Sequence, residues 1–336
     1  MFQFIRSSSF TAQVMIPFVG ILLFAVVWFL PASLVPGSQY GNGFYYLPQD
    51  GWIYEQWKGL ANFPLWVQVL PTLVLAVVTA LVLVHQDLRN LLMGRRSYGI
   101  GYLFLFLIAS SGHLFLIHPA FISGFLILLG IGNLGALFKQ EAKYELVFGL
   151  GFSWSCAILL YPPLVFTLPV LIIGLAVMVS PVWRHWVTAL LGLILPVLLC
   201  LGVFYLMGEL DYQISSFLAW FRFRTTWPPE FLIREPFIAV WFGLLLFWII
   251  VASVKYRNPK VLSRQLFLVN FSHFFLVLVM VILVETISVE VFWLMLCPVT
   301  YLMTFWALEL RRNWVRDLFF MSLLASFVFF RIRGLM

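Results

Sequence analysis

Charge is what this chain has least of. Only 10% of its 336 residues are Asp, Glu, Lys or Arg, against about 25% in an ordinary soluble domain. A water-facing surface of normal size cannot be built from so few charges, which excludes a soluble globular architecture. Cysteine is nearly absent too. Cys156, Cys200 and Cys297 lie in apolar runs without CxxC or Cys/His spacing, which argues against a disulfide framework and a zinc site. There is no Walker A segment, GxGxxG or HExxH, so ATP-driven and zinc-protease chemistry have no motif to rest on.

What fills the chain is apolar. Hydrophobic residues make up 63% of it and the mean hydropathy is +1.03. A helix needs about 20 apolar residues to cross the hydrocarbon layer. About eleven stretches fit: 13–33, 65–84, 101–117, 120–137, 145–161, 163–180, 187–207, 236–254, 266–285, 289–308 and 316–331. They predict an all-α, polytopic membrane helix bundle forming one transmembrane domain over 1–336. The first stretch follows Arg6, is longer than a signal-peptide core and lacks a small-x-small cleavage site, so it reads as a retained span. Ile117-His118-Pro119 and Tyr161-Pro162-Pro163 make two tight turns, with proline ending one helix and starting the next.

The basic residues set an orientation. With the N-terminus cytoplasmic, one side collects 14 Lys and Arg, from Arg6 through Arg89, Arg184 and Arg264 to Arg316, and the other collects 6. The positive-inside bias favours that arrangement in a bacterial inner membrane. It reads the net charge of +7 as topology and gives no nucleic-acid footprint. The last span is the weakest, because it would carry Arg331 and Arg333 outside.

Two outer loops then hold most of the polar chemistry. Loop 34–64 carries Asp50 and Glu55, and loop 208–235 carries Arg222 and Arg224. Both are rich in Trp, Tyr and Phe, which suits the headgroup layer and short helices lying on the membrane. Either carboxylate could serve as a general base or as a ligand for a divalent metal. No other metal or cofactor is indicated. Guanidinium forks suit a phosphate. The plainer reading is solvated acids and headgroup-anchoring arginines. Within the spans, His113, Asn133, Asn270 and His273 are polar residues that are costly in lipid. Asn270 and His273 share a helix face and could form part of a proton or substrate path. An interhelical hydrogen bond, about 0.6 kcal/mol on average, is the plainer account. Small residues four apart, such as Gly151 and Ser155, permit close helix packing.

The stretch from Tyr144 to Gly208, with its Gly-rich span, Tyr-Pro turn and Trp183-Arg184-His185-Trp186 junction before Gly192 and Pro196, resembles an uncharacterised family of polytopic inner-membrane proteins of Bacteroidetes. His185 stands where that family would have an acid. The layout is also similar to GT-C-type glycosyltransferases that use polyprenyl-phosphate-linked sugars. That resemblance implies Asp50, with Glu55 second, as the catalytic acid-base residue; Arg222 and Arg224, by their guanidinium forks, would hold the phosphate. In those enzymes the acid usually follows the first span more closely than Asp50 does here. The expected partners are membrane lipids, a polyprenyl-phosphate sugar and other membrane subunits. The alternative is a non-catalytic subunit of an envelope secretion, insertion or lipid-transport complex.

Overall fold

A computed structural model describes residues 10–28, 65–90, 98–111, 118–138, 143–179, 182–225, 236–254, 261–287 and 291–309, with isolated positions 318, 321, 322 and 325. Among them are eleven α-helices and one 3-10 helix, and no strand beyond a single β-bridge. The helices are α1 (Phe10–Trp28), α2 (Leu65–Asn90), α3 (Gly99–Ser111), α4 (Pro119–Leu137), α5 (Tyr144–Leu160), α6 (Leu168–Met178), α7 (Trp183–Met207), α8 (Leu210–Ala219), α9 (Pro236–Val254), α10 (Val261–Leu283) and α11 (Val291–Glu309). The 3-10 helix, Pro162–Thr167, leads into α6. Four helical stretches, Val69–Arg89, Pro119–Leu137, Trp183–Met207 and Val261–Leu283, are long and apolar enough to cross a membrane. Shorter apolar helices accompany them, as in a multi-pass membrane protein.

The first ten predicted spans coincide with helices within a few residues, and the eleventh helix is a different element. α8 lies inside the predicted loop 208–235, whereas most of the predicted span 316–331 lies outside the described residues. α7 stops because Gly208 adopts φ +74, and its N–H bonds the carbonyls of Phe204 and Tyr205. That left-handed cap favours glycine and releases the chain into α8. α2 runs on past its expected end at residue 84 to Asn90, so His85, Gln86 and Asp87 are helical.

α11 is the axis of the bundle. Residues 291–305 are buried throughout, and α11 packs on α3, α4, α9 and α10. α4 packs closely on α5, and α5 on α7. Helices α5 and α7 run parallel, with Tyr144 against His185 at 5.5 Å and Gly151 against Gly192 one crossing further on. A methyl group at Gly151 would meet the Ala189 carbonyl oxygen, and one at Gly192 would meet the Phe148 carbonyl oxygen. The two backbones therefore touch, as small residues permit in lipid, where packing rather than water exclusion holds helices together. The outer flank of α7 is exposed and apolar, including Leu190, Leu191, Leu198 and Leu206, which suits acyl chains.

Candidate functional site

One end of the bundle is tied together by side chains that belong to its turns. His118 caps α4, its Nδ1 accepting the Ala120 N–H at 3.1 Å. Pro119 follows at the first helical position, where its missing N–H costs nothing. The His118 ring lies edge-on to Tyr161 at 6.2 Å, and Tyr161 lies edge-on to Trp220 at 5.4 Å. All three are buried. Burial in this layer, by stripping water from the charged form, lowers the His118 pKa from its ordinary 6.5 to about 3. The imidazole is therefore neutral there.

Beyond Trp220 the chain becomes a strap, 220–225, laid antiparallel across the end of α10. Phe223 bridges Val284, the Arg224 N–H donates to the Leu283 carbonyl at 2.8 Å, and the Glu285 N–H donates to the Arg222 carbonyl at 2.8 Å. The Thr286 hydroxyl donates to the Trp220 carbonyl at 2.9 Å. The Arg224 guanidinium is folded over the helix end. Its Nη2 donates to the carbonyls of Val284, Glu285 and Ile287 at 3.0, 3.4 and 3.1 Å. A helix C-terminus leaves carbonyls without partners and carries partial negative charge, so an arginine seated there fastens the strap. Arg222 and Phe223, in contrast, are exposed on it.

The arginines expected to act as a pair thus stand in different settings, Arg224 inside the strap joint and Arg222 on its surface. Asp50, Glu55 and His113 lie outside the described residues. Among the described residues no three or more His, Cys, Asp or Glu side chains converge as a metal site would require. The chain matches no protein-family model, no curated protein and no solved structure.

Asn270 and His273 are both buried on α10. The Asn270 amide donates to Leu266 O of its own helix at 2.9 Å. Among the described residues, neither nitrogen of His273 has a hydrogen-bond partner. Its ring lies 6.3 Å from Trp154 of α5. His185, at the junction position, is a buried ring against Tyr144.

Two buried polar features escape a reading of the sequence. Asp87 is fully buried on α2, beside Gln86, whose amide donates to Leu128 O of α4 at 3.1 Å. The run His85-Gln86-Asp87 reads as a loop because it is polar. Only the packing of Gln86 against Gly132 shows that the helix continues. His118 reads as a turn residue; its role as a buried cap was signalled by the following Pro119 alone.

Proposed function

We propose that this multi-pass membrane protein binds a polyprenyl-phosphate-linked sugar at the strap end and transfers the sugar in the manner of a GT-C glycosyltransferase. In this reading Asp50, or Glu55, acts as the base, and the site faces the outer side of a bacterial inner membrane. The observation that carries it is the strap itself. Arg224 fixes it to α10, and it exposes Arg222 and, next in the chain, Phe223, a cation and an apolar side chain at the end of an apolar bundle. That pairing suits a phosphate with a hydrocarbon tail. The alternation of helices with tight Pro turns, and the two aromatic loops between spans, support the layout.

The test has two parts. Arg222→Ala is expected to weaken binding of a polyprenyl phosphate in detergent at least tenfold without loss of fold, and unchanged binding would refute the site. Asp50→Asn and Glu55→Gln are expected to reduce glycan output. If both variants are folded and fully active, the enzymatic half fails even if the binding half stands.

A non-catalytic role in an envelope assembly is favoured by one observation, the long exposed apolar flank of α7. It predicts a stoichiometric membrane partner on purification in mild detergent, cross-linking through Leu191 and Leu198.

A further inference from the structure

The α10–α11 hairpin is polar in one half of its depth and apolar in the other. On α10 the buried seam Ser263, Leu266, Asn270, His273, Val277 and Met280 recurs at alternating three- and four-residue steps, the spacing of a helix–helix interface. Its polar members all come before Phe274. The two helices run antiparallel, and the Phe267–Phe305 ring contact at 6.0 Å sets their register. At about 1.5 Å per residue, Asn270 and His273 then lie at the depth of Thr300, Tyr301 and Thr304 of α11, all of them buried. This polar half lies toward the end that carries Arg89, Lys143, Arg184 and Arg264, all exposed.

Toward the strap the hairpin is closed. Residues 291–296 of α11 are buried and apolar, and Trp293 stacks on Phe121 of α4 at 3.8 Å. On that side the Trp154 N–H, whose ring lies beside His273, is already engaged. The Trp154 N–H donates to Thr167 Oγ1 at 3.1 Å, and that hydroxyl donates to Leu164 O at 2.7 Å.

His273 therefore sits 1% exposed where a polar half meets an apolar one, and among the described residues neither ring nitrogen has a hydrogen-bond partner. A donor and an acceptor buried in that way give up water without a replacement, and the buried polar side chains described on α10 and α11, Ser263, Asn270, Thr300, Tyr301 and Thr304, lie on one side of His273. Among the elements packed on α10, the 3-10 helix and α6 carry no titratable side chain, and α11 carries Cys297 and Tyr301 in its buried stretch. On α5, Cys156 lies two residues beyond Trp154. We propose that His273 is the closed end of a one-sided path for water, and through water for protons, that opens at the Arg89–Arg184 end and is sealed at the strap end.

The path can be read by thiol accessibility in vesicles. In a protein with Cys156, Cys200 and Cys297 replaced by Ser, Asn270→Cys and Thr304→Cys are each compared with Val277→Cys, using the membrane-impermeant thiosulfonate MTSES. Lys143→Cys marks the basic side. Both path positions should react at least tenfold faster than Val277→Cys, and only from the side on which Lys143→Cys reacts. Rates no faster than that of Val277→Cys, or faster from the opposite side, would overturn the path. A second measurement needs no cysteine replacement. In the otherwise native protein with 15N-labelled histidine, the His273 ring signals, assigned by their loss in His273→Gln, should receive magnetisation from water in the solid state. Ring nitrogens that receive none would overturn the proposal.

Discussion

Replacing Gly151 or Gly192 with alanine tests the closest helix crossing in the bundle. A methyl at Gly151 would overlap the Ala189 carbonyl oxygen and approach the Leu193 nitrogen to 3.0 Å, and a methyl at Gly192 would do the same to the Phe148 oxygen and, at 3.0 Å, the Phe152 nitrogen. Carbon makes its favourable contacts at about 3.5–4.0 Å. The obstructing atoms are backbone and cannot rotate away, so α5 and α7 must separate by about 1 Å. Overpacking of that kind costs about 1–3 kcal/mol, working against the roughly 1 kcal/mol that alanine gains over glycine in a helix. We expect each variant to be destabilised by about 1–2 kcal/mol. The double variant should cost clearly less than the sum, because one separation relieves both clashes. Gly202→Ala is the control: it lies on the same helix α7 with nothing within 4 Å of the added carbon, and should be neutral or slightly stabilising. Unfolding by denaturing detergent in mixed micelles, followed by tryptophan fluorescence, reads all four proteins. If Gly151→Ala and Gly192→Ala unfold where Gly202→Ala does, the two backbones are not in contact and the packing argument fails.

Two further outcomes follow from the strap end. Arg224→Ala removes a charged donor from the carbonyls at the end of α10 and should destabilise by roughly 1.5–3 kcal/mol, whereas Arg222→Ala, exposed, should change stability by less than about 0.5 kcal/mol; equal losses in a detergent melt would refute the different roles assigned to the two arginines. The folded pKa of His118 lies below its ordinary 6.5, at about 3, so its neutral form is the native one. Stability should be full above about pH 6.5 and fall between pH 6.5 and 3, because unfolding takes up a proton there, at a slope of up to about 1.4 kcal/mol per pH unit. His118→Asn keeps a capping acceptor without a titrating group. It should remove this part of the acid slope, and an unchanged slope would contradict the burial argument.

Ten helices were legible because lipid demands long apolar segments and because proline and basic residues mark their ends. The Pro turns at His118 and Tyr161 were legible for the same reason, since proline can start a helix but not continue one. The eleventh helix was not. α8 is short and mixed in polarity, and its existence depends on the left-handed turn at Gly208 and on burial of Gln213 and Ser216. The end of α2 was hidden because one of its polar residues, Gln86, is held by the Leu128 carbonyl of α4, far away in sequence.

The candidate site divides in the same way. The order of apolar and basic residues along the chain determined that this is a multi-pass membrane protein whose basic residues flank apolar runs, since those are one-dimensional consequences of hydropathy. It also singled out Arg222, Arg224, Asn270 and His273 as polar residues needing an explanation. Only the tertiary structure decided what each of them meets. Arg222 and Arg224 are two residues apart, yet one is exposed and the other spans carbonyls sixty residues downstream. Asn270 is satisfied within its own helix, whereas His273, one turn away, is not. The physical reason is that hydropathy is a property of a segment, whereas a hydrogen bond is settled by which other segment the fold brings within 3 Å.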